Sequence, residues 1–141
     1  MKKVLTFGVF DTLHRGHIRL FERARKYGDY LIVAVQDDEH ILKYKPDTHI
    51  VNNVNERLYM VGSIRFVDEV ICYDDVDTSI TKIDFDIFVK GEEQNHEGFQ
   101  KAEEWCRIHS KEVVVLDRTK GISSSLIRQL QFSNDKDNGK E

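Results

Sequence analysis

The stretch Val4-Leu5-Thr6-Phe7-Gly8-Val9-Phe10-Asp11-Thr12-Leu13-His14-Arg15-Gly16-His17 decides the fold of this chain. An apolar, β-prone run ends at Gly8, and an amphipathic helical pattern begins directly after His17. This order predicts a strand, a tight loop and a helix. Free N–H groups at a helix start, together with the positive end of the helix dipole, attract anions. The stretch therefore predicts a phosphate-binding site.

Two histidines and two glycines are concentrated at this predicted turn. His14 and His17 are three positions apart, so both imidazoles lie on one face if the helix begins near His14. Gly8 and Gly16 are small enough to let a ligand approach the backbone closely. The simpler alternative is a helix N-terminus that happens to carry two surface histidines. Because that alternative leaves the glycines and Arg15 unexplained, we favour an anion site with two donors.

The composition limits the classes of protein to which this chain can belong. The 141 residues fit one domain, with a formal net charge of −4 and 33% charged residues. These values favour a soluble protein with a small-molecule partner, and the lack of a long basic stripe argues against a nucleic-acid partner. Cys72 and Cys106 lie in apolar patterns without C-x-x-C spacing, which favours reduced thiols at or near the core. Since neither a leader-like nor a membrane-spanning apolar segment is found, we expect a cytoplasmic protein without a membrane partner.

Hydrophobic periodicity predicts five short strands that alternate with helices. The near-continuous apolar run at residues 30–35 is typical of a strand buried on both faces of a parallel sheet. We predict the other strands at residues 4–7, 66–72, 87–89 and 113–116, and helices at residues 18–27, 55–64, 78–82, 96–109 and 124–131. Residues 43–55, which include the only proline, are predicted to form a mobile loop, with Asn55 capping the next helix.

These elements predict an α/β fold: a doubly wound, Rossmann-like parallel sheet of five strands with helices on both faces. We expect this domain to span residues 1–132, followed by a disordered polar tail at residues 133–141. In such sheets, ligands bind beyond the carboxyl ends of the strands, where the strand order reverses. Residues 8–17, 90–94 and 117–125 follow predicted strands one, four and five, so all three segments should open on this edge.

The last of these segments repeats the design of the first. It reads Arg118-Thr119-Lys120-Gly121-Ile122-Ser123-Ser124-Ser125: cationic residues, a glycine, and hydroxyls before a helix. A helix cap after a turn would explain the glycine and one serine, but it would leave Arg118 unexplained. Charge-assisted hydrogen bonds at a helix start suit phosphate oxygens.

The string G-V-F-D-T-L-H-R-G-H resembles the signature of the cytidylyltransferase-like nucleotidyltransferases, G-[ST]-F-D-x-x-H-x-G-H. Val9 departs from this pattern, because the family usually has a hydroxyl residue there. The segment that begins at Arg118 is similar to the second family signature, R-T-x-G-I-S-[ST]-[ST]. The resemblance extends from Lys2 to about Gln131, and within the family it is strongest to bacterial enzymes that act on glycerol 3-phosphate.

The resemblance implies a role for each matching residue. Catalytic charge would come from His14, His17, Lys43, Lys45 and Arg118, with Arg118 gripping the outer phosphates of a nucleoside triphosphate. Nucleotide-binding residues would be Gly8, Val9, Phe10, His14, His17, Lys90, Gly91, Glu92, Glu93, Arg118, Thr119, Gly121, Ile122, Ser123 and Ser124. Relatives often have aspartates and a tryptophan after Gly91, so Glu92-Glu93-Gln94 is a departure near the predicted base and ribose site.

The implied acceptor-binding residues are Arg57, Lys45 and Asp11. Taken alone, Lys43 and Lys45 are better explained as solvated lysines, and a surface ion pair with Glu56 explains Arg57 equally well. For Asp11, we favour support of the loop through capping of backbone N–H groups over a part in catalysis. We expect one of the two lysines to be essential.

The implied reaction joins CTP and a phosphorylated small molecule, with glycerol 3-phosphate as first candidate, to give a CDP-linked surface-polymer precursor and pyrophosphate. Magnesium would be held mainly by the triphosphate, with no metal site in the protein, and the resemblance implies a homodimer. An adenylyltransferase that uses ATP on a sugar phosphate or a cofactor precursor remains an alternative. So do a non-catalytic nucleotide-binding module and a structural protein.

Overall fold

The strand β1 (Lys3–Gly8) lies at the centre of a parallel sheet in the computed structural model, which describes residues 1–117. The other strands are β2 (Tyr30–Gln36), β3 (Glu69–Tyr73), β4 (Ile87–Gly91) and β5 (Glu112–Leu116). Their order across the five-stranded sheet is β3-β2-β1-β4-β5. The chain builds outward from β1 through β2 to β3 and then returns to β4, so the strand order reverses between β1 and β4.

Helices cover both faces of the sheet. On one face, α1 (Arg15–Arg25) and α3 (Val54–Gly62) contribute Phe21, Ala24 and Val61 to the core. On the other face lie α4 (Val76–Ser79), the 3-10 turn Ile80–Lys82 and α5 (Glu97–Ile108). The short helix α2 (Asp38–Tyr44) follows the end of β2. The predicted doubly wound α/β fold is confirmed for the described residues.

The central strands bury side chains toward both helical layers. On β1, Leu5 and Phe7 belong to the core under α4 and α5, whereas Val4 belongs to the core under α1 and α3, and all three are fully buried. Burying one such side chain stabilises the fold by about 1.5–3 kcal/mol. This two-sided burial explains why the apolar runs of β1 and β2 are nearly continuous.

Several predicted boundaries are wrong. The third strand begins at Glu69 and not at residue 66, because Asp68 turns its carboxylate to accept the Leu31 N–H at the start of the pairing. The helix predicted at residues 55–64 begins at Val54, since Asn53, and not Asn55, caps it by accepting the Glu56 N–H.

The remaining differences concern short elements and one cysteine. The predicted loop at residues 43–55 is wrong at its start, because Lys43 and Tyr44 lie in the unpredicted helix α2. The helix predicted at residues 78–82 is divided between α4 and the 3-10 turn. Cys106 is buried as predicted, whereas Cys72 is exposed because it lies on the edge strand β3. The predicted helix at residues 124–131 and the predicted tail lie outside the described residues.

Within residues 1–117, no helix combines the length and the apolarity that crossing a membrane requires.

Candidate active site

The loop between β1 and α1 is closely packed around one aromatic ring. Phe10 has a φ of 54°, a left-handed conformation that is uncommon for a bulky residue. Its ring lies over Gly8, where an added Cβ would be only 2.4 Å from the ring. The same ring makes edge-on contacts with His17 and Phe21. Gly8 is therefore required for this close approach, and the ring of Phe10 fixes the loop beside His17.

The two histidines of this loop form the start of α1. His14 is the N-cap, and its Nδ1 accepts the Gly16 N–H at 3.0 Å. His17 Nδ1 accepts the His14 N–H at 3.3 Å, which completes a capping box, and the two rings stack with centroids 4.0 Å apart. Because each Nδ1 is an acceptor, the neutral rings carry their hydrogen on Nε2. In this tautomer, Nε2 is the donor atom of each ring.

The charge state of His17 follows from its surroundings. Burial, and secondarily the neighbouring His14, lowers the pKa of His17 from 6.5 to about 4. His17 is therefore neutral at pH 7. His17 is thus a donor with a fixed direction, and it adds no positive charge to the site at that pH.

Asp11 connects this loop to the segment before α3. Its carboxylate accepts the backbone N–H groups of Val51 and Asn52, each at 2.7 Å, and the Asn52 side chain returns a hydrogen bond to the Asp11 carbonyl at 2.9 Å. The predicted capping of backbone N–H groups by Asp11 is confirmed. These bonds fasten residues 51–52 to the histidine loop.

Arg57, predicted as an acceptor-binding residue, lies in the interior of the protein. Its side chain is fully buried and forms an ion pair with Asp38. The guanidinium also donates to the backbone carbonyls of Asn52 at 2.9 Å, Val9 at 2.9 Å and Gln36 at 2.7 Å. The alternative of a surface ion pair with Glu56 is wrong, because the guanidinium is buried and pairs with Asp38. Arg57 instead joins the ends of β1 and β2 to the starts of α2 and α3.

The two candidate lysines lie at the end of α2. Lys43 is in its last turn, with Nζ 5.4 Å from the centre of the Tyr44 ring, and Lys45 is the C-cap; both are exposed. The Tyr44 hydroxyl donates to Asp75, which fastens the end of α2 to the start of α4. Burial, and then the Lys45 ammonium, lowers the pKa of His96 at the start of α5. Lys45 is therefore close enough to the segment after β4 to act on it electrostatically.

The segment after β4 is held by its own side chains. Gly91 is buried, and a Cβ there would meet the Glu93 carboxylate at 2.6 Å, so Glu93 lies directly against it. The Glu92 N–H donates to the Leu116 carbonyl at 3.0 Å, which ties this segment to the end of β5. Glu92 and Glu93 are exposed. Lys90, predicted as a nucleotide contact, has a buried side chain whose Nζ lies 3.4 Å from Glu103.

The chain leaves β5 at the same edge of the sheet. Asp117 is fixed by Arg23 of α1, which donates to its carboxylate at 2.6 Å and to its carbonyl at 2.8 Å. The predicted contacts of Arg118, Thr119, Gly121, Ile122, Ser123 and Ser124 lie outside the described residues. Asp117, the last described residue, lies beside α1, the helix that begins at the histidine pair.

Together these segments bring the histidine pair, the exposed Lys43 and Lys45, and the exposed Glu92 and Glu93 to the carboxyl edge of a parallel sheet. In residues 1–117, no three His, Cys, Asp or Glu side chains are grouped so that they could hold a metal ion. Sequence reasoning missed Asn52 and Asp38 as supports of this site, because both act through residues that are distant in sequence.

The chain is similar to known proteins over most of its length. The model of the family described as cytidylyltransferase-like matches residues 5–130. The glycerol-3-phosphate cytidylyltransferase of Staphylococcus aureus is 40% identical over 139 residues, covering 96% of this chain and 98% of the relative. The enzyme of the same name from Bacillus subtilis is 39% identical, covering 92% and 96%. The crystal structure of a lipopolysaccharide core biosynthesis protein from Thermoplasma volcanium matches with a TM-score of 0.69 and 25% identity, covering 85% of this chain and 98% of that one.

Proposed function

This chain belongs to the cytidylyltransferase-like family, and we propose that it transfers CMP from CTP to glycerol 3-phosphate with release of pyrophosphate. The histidine pair at the start of α1, in which each Nδ1 accepts a backbone N–H and leaves the ring hydrogen on Nε2, is the observation that supports the reaction class. The names of relatives that match almost end to end support the two substrates. The product would be a CDP-linked precursor of the kind used for surface polymers.

In this reaction, a phosphate oxygen of the acceptor attacks the α-phosphorus of CTP. The new P–O bond forms as the bond between the α-phosphorus and the bridging oxygen breaks, and that oxygen leaves with the pyrophosphate. No covalent protein intermediate is needed, so catalysis rests on positioning and on stabilising charge on the transferring and leaving groups. His14 and His17 would donate Nε2–H bonds to these oxygens as negative charge develops there.

Cations would complete the site. Arg118 would grip the outer phosphates, with support from the hydroxyls and N–H groups of residues 119–124. Lys43 and Lys45 are exposed at the end of α2. Because Arg57 is buried, these two lysines are the described cations best suited to the acceptor phosphate. Asp11 would support the acceptor side indirectly, by holding residues 51–52.

The β1 and β4 loops would bind the rest of the nucleotide. Gly8, Val9 and Phe10 would line one side of it, with backbone contacts replacing the hydroxyl that Val9 lacks. Gly91, Glu92 and Glu93 would line the base and ribose side. The departure at Glu92-Glu93-Gln94 makes ATP the nucleotide to test beside CTP, because an adenylyltransferase would share every other feature of the site.

Magnesium would enter with the triphosphate, which supplies the oxygen ligands that this ion prefers. We therefore expect turnover to stop on exhaustive chelation and to return when Mg²⁺ is added. Pyrophosphate release at the full rate in the chelated sample would contradict this expectation.

The test of the proposed function is a pyrophosphate-release assay that crosses four nucleotides with a set of phosphorylated metabolites. We expect the highest rate for CTP with glycerol 3-phosphate, and no release with CTP and free glycerol. A higher rate with ATP would favour the adenylyltransferase, and equal rates with glycerol and its phosphate would refute the phosphorylated acceptor. Thermal stabilisation by CTP without any turnover would instead favour a nucleotide-binding module.

A further inference from the structure

The two strands that flank the switch point separate before they end. β1 and β4 pair only through Val4↔Ile87 and Leu5↔Phe88. β1 nevertheless continues to Gly8 and β4 to Gly91. Beyond these two pairs, the backbone N–H and C=O groups of β1 and β4 no longer pair with each other, which leaves a gap between the two strands. In a doubly wound sheet, this gap is the crevice in which a ligand binds.

The side chain of Gln94 bridges this gap. Its Nε2 donates to the Phe7 carbonyl of β1 at 2.8 Å, and its Oε1 accepts the Gly91 N–H of β4 at 3.0 Å. A carboxamide has the donor and acceptor of a peptide group, so this one side chain replaces the missing strand-to-strand hydrogen bonds. Phe7 lies directly before the loop that carries the histidine pair, and Gly91 directly before Glu92 and Glu93.

The backbone of Gln94 is fixed by a buried lysine. Lys90 is 3% exposed, and its Nζ donates to the Gln94 carbonyl at 2.8 Å while it pairs with Glu103 of α5 at 3.4 Å. The Gln94 N–H donates to the Gly91 carbonyl at 3.1 Å. Both ends of this residue are therefore held, and its carboxamide has little freedom to leave the gap. A buried ammonium needs such partners, because an unpaired buried charge is strongly unfavourable.

We propose that Gln94, held in place by Lys90, is a positioning residue that sets the spacing between the β1 loop and the β4 loop and so determines the affinity for the nucleotide. This inference rests on the proposed function, since it assigns the crevice between these loops to the nucleoside triphosphate. Gln94 acts through Phe7 and Gly91 and needs no contact with the substrate. The acceptor would meet Lys43 and Lys45 at the end of α2 and would therefore lie outside this pair of loops.

The test compares Gln94→Leu and Gln94→Glu with the wild type. The leucine removes both hydrogen bonds, whereas the carboxylate can still accept from Gly91 and cannot donate to Phe7. We expect the KM for CTP to rise about five- to tenfold in both variants, as the loss of a hydrogen bond implies, with a smaller change in kcat and no change in the KM for glycerol 3-phosphate. Lys90→Met should change the same parameter in the same direction.

Gln100→Leu and Lys101→Met are the matched controls. Gln100 is exposed and donates to the Asn95 carbonyl, and Lys101 pairs with Glu97 at the surface, so neither spans the gap. Both should leave the KM for CTP unchanged. A merely structural loss in the Gln94 variants would lower the fraction of active enzyme, and thus the apparent kcat, without raising the KM for CTP selectively.

An unchanged KM for CTP in Gln94→Leu, or an equal rise in the KM values of both substrates, would overturn the proposal. If Gln94→Leu does not fold, Gln94→Glu is decisive, together with the thermal shift that CTP produces in each protein. If CTP stabilises the wild type but no pyrophosphate is released, the proposed function is refuted and the inference about Gln94 is not. In that case, the loss of the CTP-induced thermal shift in Gln94→Glu still supports the inference. A wild type with neither turnover nor a thermal shift would refute both.

Discussion

His14 uses its two ring nitrogens for different purposes. Nδ1 caps α1, whereas Nε2 carries the hydrogen that we propose is donated to a phosphate oxygen, so the two roles can be separated by substitution. His14→Asn keeps an acceptor near the Nδ1 position and removes the Nε2–H group. We expect kcat to fall about 100-fold, since a preorganised donor contributes on the order of 3 kcal/mol to the transition state, with little change in the melting temperature.

His14→Ala is the companion variant. It should lose the same activity and also about 1 kcal/mol of stability, because the cap is gone. His17→Ala should likewise lower kcat about 100-fold or more. Turnover near that of the wild type in His14→Asn would show that the ring contributes only the cap.

The lowered pKa of His17 makes stability depend on pH in a defined window. Above about pH 6.5, the ring is neutral in both the folded and the unfolded chain, and its contribution is constant. As the pH falls from 6.5 to about 4, the unfolded chain binds a proton that the folded chain does not, so stability is lost by on the order of 3 kcal/mol. Urea unfolding at a series of pH values measures this slope.

The control for this slope is His17→Asn, which should be less dependent on pH over the same window. His40 acts in the opposite sense, because its hydrogen bond to Asp37 raises its pKa and its contribution is lost as the pH rises. Identical pH profiles for the wild type and His17→Asn would show that the ring is not kept neutral by burial.

At the residue scale, the sequence predicted groups whose chemistry depends on near neighbours. His14 and His17 are three positions apart, directly before an amphipathic helical pattern, and this local sequence predicts that both lie on one face at a helix start. The environment of Arg57 depends on Val9 and Gln36, which are 48 and 21 positions away, so no local pattern could indicate that it is enclosed. The burial of Lys90 was not predictable for the same reason, since Glu103 and the Gln94 carbonyl contact it only in the folded chain.

At the scale of elements, Arg57 is the residue through which four elements meet. Arg57→Met would leave the carbonyls of Val9, Gln36 and Asn52 without their donor and Asp38 without its partner. We expect the free energy of unfolding to fall by roughly 3–5 kcal/mol, with a loss of kcat because the histidine loop is no longer held at Val9. Equilibrium urea unfolding and single-turnover kinetics give the two values.

Arg65→Met is the matched control, because Arg65 is exposed and contacts only the ring of Phe66 among the contacts described for it. Its stability should stay within about 0.5 kcal/mol of the wild type. A rise in the acceptor KM of Arg57→Met with unchanged stability would restore the acceptor role that was first predicted for this residue.

The elements themselves were predicted unevenly. β1 and β2 have continuous apolar runs because they are buried on both faces, and their predicted and observed bounds nearly coincide. α2 was missed because only Ile41 of its seven residues is buried, so it has almost no apolar period. Its position comes from long-range bonds instead, from Asp38 to Arg57 and from Tyr44 to Asp75.

For the whole molecule, the predicted homodimer stays a prediction. In the described part of the chain, large apolar side chains are exposed on Ile18, Val51 and Tyr59. Interfaces between subunits are enriched in such aromatic and apolar groups. We expect light scattering at tens of micromolar to give twice the mass of one chain. A monomer mass at that concentration would contradict the prediction.

The architecture was predictable as a whole because alternating strands and helices allow few arrangements. The same rule placed the segments after β1, β4 and β5 at one edge of the sheet, as observed up to Asp117. The details of the crevice were not predictable, since the separation of β1 from β4 and its bridging by Gln94 depend on how far two distant strands stay paired.

The central place of β1 also has a consequence for synthesis of the chain. β1 leaves the ribosome before the other four strands, and β2 can cover one of its edges soon afterwards. Its other edge pairs with β4, so it stays open until residues 87–91 have been translated. A nascent chain arrested before β4 therefore exposes an apolar strand edge that can pair with other nascent chains. Such arrested chains should be cut by protease within β1, whereas chains released after β5 should be protected there.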